Sequence, residues 1–76
     1  MIINKKDINL ELEQQDKDHL IHVSALLKNI NDEMEVGNLL VIDGNISTKE
    51  QVASYIQLIS SLINAQVMKI KVSNKK

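Results

Sequence analysis

No cysteine occurs in this sequence of 76 residues, and neither do proline, phenylalanine, tryptophan or arginine. The missing cysteine excludes disulfides and every thiolate-based zinc or redox centre. With a single tyrosine as the only aromatic residue, the core has to be built from Ile, Leu, Val and Met. Such side chains contribute roughly 1.5–3 kcal/mol each when fully buried. Ordering the chain costs on the order of 1.5 kcal/mol per residue, so one core of this size comes out near balance. Without disulfides, oligomerisation is the favoured way to add buried surface. The missing arginine is a poor match to readers of nucleic acid, which use guanidinium groups for phosphate and guanine and aromatic rings for base stacking. A chain rich in Ile, Lys and Asn and free of Arg, Trp and Pro also fits an AT-rich bacterial or phage genome.

Long apolar runs are missing too. The longest is Leu39–Ile42, far short of the ~20 residues that span a bilayer. The opening residues, MIINKKDINL, lack the apolar stretch of a secretory leader, so a cytoplasmic setting is expected. Charge is nearly balanced, with nine lysines against ten acidic residues and a formal net charge of −1. The apolar fraction, 43%, is that of a globular chain. One domain over residues 1–76 is expected, with residues 1–6 and 73–76 frayed.

Periodicity supplies the elements. In DINLELE, residues 7–13, Ile8, Leu10 and Leu12 alternate with Asn9, Glu11 and Glu13, which predicts a strand with one wet face. From Asp18 the period lengthens. Leu20, Val23, Leu26, Leu27, Ile30 and Met34 fall on one side of a helix, with Asp16 or Asp18 as N-cap and Gly37-Asn38 as its stop. Leu39–Ile42, apolar on both faces, reads as a central strand, and Asp43-Gly44-Asn45 as a turn. Two overlapping capping boxes, Ser47-x-x-Glu50 and Thr48-x-x-Gln51, start a second helix at Ser47 or Thr48 that runs to about Asn64 or Ala65. VMKIKV returns to period two as a last strand. The predicted fold is α/β: a small two-layer β-α-β-α-β sandwich. Its three-stranded, mainly parallel sheet has order 1-2-3, with both helices on one face. An antiparallel or edge placement of the first strand is the alternative.

Two surfaces of this predicted fold look unfinished. The second helix carries no charge between Glu50 and Lys69. Val52, Ile56, Ile59 and Ile63 form one apolar stripe, and Tyr55, Leu58 and Leu62 form another, so the apolar arc is wider than one sheet contact requires. The remaining face holds Ser54, Gln57, Ser60, Ser61 and Asn64, small or neutral residues that suit an interface core. It faces either a second body or merely neutral solvent-side space. On the sheet, Glu11 and Glu13 would mark one edge and Lys69 and Lys71 the other. An apolar stripe of Leu39 and Val41, or of Leu40 and Ile42, would lie between them. A two-fold axis would bring the Glu edge of one copy over the Lys edge of the next; alternatively the four residues are cross-strand pairs within one chain. The candidate contact residues are therefore Ser54, Gln57, Leu58 and Ser61 on the helix and Glu11, Glu13, Lys69 and Lys71 on the sheet.

Chemistry is sparse by comparison. His19 and His22, with Asp16 or Asp18, make a nominal metal cluster. Helical zinc sites favour i, i+4 pairs, however, and no fourth ligand is evident. Asp43, before Gly44, sits where parallel sheets gather ligands, but Asp-Gly is first a turn pair. With two glycines in the whole chain there is no phosphate-binding loop, and no nucleophile stands at a recognisable spacing from a base. No catalytic, metal or cofactor-binding residues are assigned. The expectation is a small non-enzymatic, cytoplasmic protein-interaction module, a homodimer that also binds another protein. A phage or mobile-element regulator or inhibitor of a host protein is a fitting setting. The alternative is binding to nucleic-acid backbone through the terminal lysines, Lys5, Lys6, Lys69, Lys71, Lys75 and Lys76.

Overall fold

A computed structural model describes the backbone of residues 1–74 and the side chains of residues 1–69. In chain order the elements are β1 (Ile2–Ile3), α1 (Lys5–Glu13), α2 (Lys17–Glu35), β2 (Leu40–Ile42), β3 (Asn45–Ser47) and α3 (Lys49–Asn74). The three strands form one sheet in the order β1-β2-β3. β1 pairs with β2 in parallel, Ile2 opposite Val41 and Ile3 opposite Ile42. β2 and β3 are an antiparallel hairpin, Val41 opposite Ile46. The molecule is thus three helices on a small mixed sheet, not the mainly parallel β-α-β-α-β sandwich that the periodicity predicts.

Three local reasons account for the correction. The predicted first strand, residues 7–13, is helix α1. Ile8 and Leu12, four apart, are 3% and 5% exposed, while Leu10 between them is 48% exposed. Burying two of the three alternating residues satisfies a helix as well as a strand. Lys5, Lys6, Leu10, Glu11, Leu12 and Glu13 then favour the helix. The predicted last strand is the end of α3. Nothing between Asn64 and Val67 stops a helix, and Ile59, Ile63 and Val67 follow one another at steps of four. The third reason is the hairpin. Asp43 and Gly44 have φ of +51° and +80°, the two consecutive left-handed residues of a type I′ turn. That turn folds Asn45–Ser47 back on β2 before α3 begins. Leu40–Ile42 is the middle strand, as its apolar run predicts.

Helix ends follow the sequence closely. Asp16 caps α2, its carboxylate accepting from the His19 N–H at 2.8 Å. Gly37, at φ +83°, closes that helix. Asn38 N–H donates to Glu33 O at 3.0 Å and Gly37 N–H to Met34 O at 3.1 Å, the paired bonds of a Schellman stop. Of the two candidate boxes at α3, Thr48 and Gln51 form the real one. Gln51 N–H donates to Thr48 Oγ1 at 3.2 Å, and Thr48 N–H to Gln51 Oε1 at 3.0 Å.

The core draws on every element but β3: Ile3, Ile8, Leu12, Leu20, Val23, Leu27, Ile30, Leu40, Ile42, Val52, Tyr55, Ile59 and Ile63. Leu26, Met34 and Ile56 pack around it. α3 lies chiefly on α2, and the last of its buried residues among those whose side chains are described is Ile63. Beyond that point α3 runs on to Asn74, about 16 Å at 1.5 Å per residue. The result is an elongated body of 46 × 20 × 16 Å. No helix among the described residues is long and apolar enough to cross a membrane.

Candidate interaction surface

The hairpin and α3 together build a groove. The tight Asp43-Gly44 turn sends β3 back along β2, and the Thr48 cap then launches α3 beside it. An open space of about 690 Å³ lies between them, lined by Lys5, Ile42, Asp43, residues 45–47, Glu50, Gln51, Ser54, Tyr55 and Leu58. Tyr55 forms part of the wall; it is 7% exposed, and its hydroxyl has no hydrogen-bond partner. Burial, followed by the negative charge of Asp43, raises the phenol above its ordinary ionisation range. The Lys5 ammonium stands 5.3 Å from the centre of the Tyr55 ring, within reach of the ring's negative face.

Asp43 has a second task. Its Oδ1 accepts from the Lys5 N–H at 2.9 Å, so the hairpin turn caps the first turn of α1. Asn4, the residue before that helix, makes no side-chain capping bond of its own. Asp therefore suits this position twice. It tolerates the left-handed backbone, and its charge complements a helix N-terminus.

The outer face of α3 continues from the groove. Ser54, Gln57, Leu58 and Ser61, the four helix residues singled out by the sequence, are all exposed and share one face by their helical spacing. Leu58 is 57% exposed and Leu62, one turn on, 42%. Ser54 and Leu58 also line the groove. The other four candidates are not on a sheet. Glu11 and Glu13 lie on α1 and Lys69 on α3. Lys71 falls on α3 by its backbone, and its side chain lies outside the described residues. The face-to-face pairing of Glu and Lys sheet edges therefore has no structural basis. Lys75 and Lys76 also lie outside the described residues, with the frayed tail predicted for them. Lys5 is engaged over Tyr55.

The open face of the sheet carries Ile2, Val41 and Ile46 in one register row, with Ile2 79% and Ile46 68% exposed. Leu39, 68% exposed, precedes them on β2's approach. The apolar stripe of Leu39 and Val41 expected there is present, although its charged borders are not.

Both histidines have structural partners. His19 Nδ1 lies 2.7 Å from Asp16 at the α2 cap. His22 Nδ1 lies 2.6 Å from Glu11 and ties α2 to α1. No group of three or more potential metal ligands occurs among the described residues. Sequence reasoning missed Lys5, Gln51 and Ile46 as members of one surface, and it took Asp43 for a turn residue before a ligand-site residue. The Asp43-Gly44 pair between two short segments was the available signal of a hairpin. No protein-family model matches the chain, and no curated protein or solved structure matches it.

Proposed function

We propose that this chain works by binding protein rather than by catalysis, self-associating through the outer face of α3 and acting on another protein as a regulator or inhibitor. The observation that supports the reading is the state of that face. Between Glu50 and Lys69 it is free of charge, it exposes Leu58 and Leu62, and α2 packs on the other side of the helix. Charge depletion around exposed Leu is the composition of an interface core. Small neighbours such as Ser54 and Ser61 let a second helix approach closely. A cytoplasmic setting is part of this proposal on composition alone.

Light scattering behind a sizing column tests it. The expected mass is twice 8.6 kDa, insensitive to salt because the face is uncharged. Leu58→Lys with Leu62→Lys returns the chain to monomer while its helical spectrum stays the same. A monomer at every concentration tried would remove self-association from the proposal.

A further inference from the structure

The groove beside α3 offers a second kind of contact, set by β3. Val41 and Asp43 send their N–H groups to β1, to Met1 O at 3.0 Å and Ile3 O at 2.9 Å. By alternation, Leu40 and Ile42 bond to β3, and Val41 faces Ile46 in the non-hydrogen-bonded pair. The N–H and C=O of Ile46 therefore point away from the sheet. Edge strands are commonly guarded by shortness, charge, proline or a bulge; β3 is three residues long, but Asn45, Ile46 and Ser47 provide no charge, proline or bulge. The open edge is ready to accept another strand.

The far wall chooses which strand. Of the charged residues lining the groove, Lys5 is basic while Asp43 and Glu50 are acidic. An acidic segment would meet two carboxylates there. A cation would meet those carboxylates and the face of the Tyr55 ring, whose hydroxyl oxygen lies buried without a partner beneath. The chain demonstrates the fit on itself, for the ammonium of Lys5 already stands over that ring. Lys5 is exposed, and its long stem can swing aside. Ile46 and Leu58 leave apolar space for an alternate side chain of the incoming strand.

We infer that this groove binds an extended basic segment of another protein, which pairs with the edge of β3 and places one Lys or Arg side chain over Tyr55 in place of Lys5. The inference extends the protein-binding reading but uses β3, Asp43, Glu50 and Tyr55 rather than the outer stripe of α3, so the two can fail separately. Strand addition supplies sequence-independent main-chain bonds, and the cation pocket supplies the selectivity. Lys5 acts as an internal competitor, and its removal strengthens binding.

An amide-resolved NMR titration of the full chain tests this, with a short capped peptide alternating Lys with Thr and Val. Expected are shifts centred on Ile46, Ser47, Ser54 and Tyr55, and no such response to the same peptide with Glu for Lys. Glu50→Gln, at an exposed helix position, weakens binding several-fold. With Asp43→Asn added, which preserves the turn and can still accept from Lys5 N–H, the loss reaches about tenfold, the scale of roughly one charge-pair contact. Lys5→Met tightens binding. Tyr55→Phe keeps the ring and loses the oxygen, so it weakens binding less than the carboxylate changes do. Equal binding of the Glu peptide, shifts confined to other surfaces, or an affinity unaffected by Glu50 and Asp43 would overturn the inference. Spermidine binding as tightly as the peptide would overturn the strand pairing. The solution mass of the free chain bears on none of these outcomes.

Discussion

Ile21 on α2 and Leu58 on α3 are equally exposed, 57% each, yet they stand in different company. Lys17 and Asp18 lie one turn before Ile21, and Lys28 lies two turns after it. A lone apolar residue among charges is ordinary surface. Leu58 has Ser54 and Ser61 on its own stripe, Leu62 one turn on, and Ile46 across the groove. The inner faces of the two helices are alike. Leu20, Val23, Leu27 and Ile30 on α2 meet Val52, Tyr55, Ile59 and Ile63 on α3 in one core. The difference is on the solvent side, where α2 carries charge and α3 between Glu50 and Lys69 carries none. Exposure of a single residue therefore identifies nothing; the charge within one helical turn is what separates these two.

The largest expected effect concerns what the helices share. Ile30 is 0% and Ile59 1% exposed, so Ile30→Ala and Ile59→Ala should each cost about 2–5 kcal/mol in chemical denaturation. A cheap Ile59→Ala would mean that α3 is loosely seated and that its neutral face reflects slack packing. Next is the stop of α2. Gly37 has φ +83° and nothing within 4 Å of an added Cβ, so Gly37→Ala should cost about 1–2 kcal/mol through the backbone alone. The α3 cap comes third, Thr48→Ala costing about 1 kcal/mol.

The α2 cap differs from it in depending on pH. Asp16 is held below its usual 3.8, first by the His19 N–H it accepts, next opposed by desolvation, with the His19 ring adding to the lowering. A lowered carboxyl pKa contributes stability that is present above 3.8 and lost as the pH falls through the folded value. Acid titration of Asp16→Asn should lack that part of the loss, whereas Thr48→Ser should leave it in place.

The smallest effect on stability is the most informative about function. Ile21→Lys and Leu58→Lys should each change stability by no more than about 0.5 kcal/mol, as exposed positions do. Only Leu58→Lys should reduce the mass measured by light scattering. If both or neither did so, charge context would have lost its meaning as a guide to the contact face.

Legibility in the sequence follows the range of the interactions. The Gly37 stop and the α2 core stripe are readable, and each cap narrows to two candidates, Asp16 or Asp18 and Ser47 or Thr48, because each is decided within a few residues. The DINLELE segment was misread because Ile8 and Leu12 satisfy both periods, and only the rest of the core leaves Leu10 outside. VMKIKV was misread because alternation was weighed above the absence of any helix stop before it. The outer face of α3 was visible as a lack of charge, but which leucines it exposes depends on where α2 lies. The groove could not be read at all, since it needs Lys5 and Asp43 to meet across 38 residues of chain.

That separation also orders the events of folding. Helices nucleate within about a microsecond and hairpins within about ten, so α2, α3 and the Asp43-Gly44 hairpin can form from local contacts. β1 has two residues, and its pairing with β2 must close a loop containing all of α1 and α2, an entropic cost that comes before any reward. β1 is thus the last strand to dock and the first to leave. In native-state hydrogen exchange, the amides of Val41 and Asp43, which bond to it, should open ahead of those in the α2–α3 core. Because Asp43 reaches Lys5 only while β1 is in place, the pocket over Tyr55 is completed last and comes apart first.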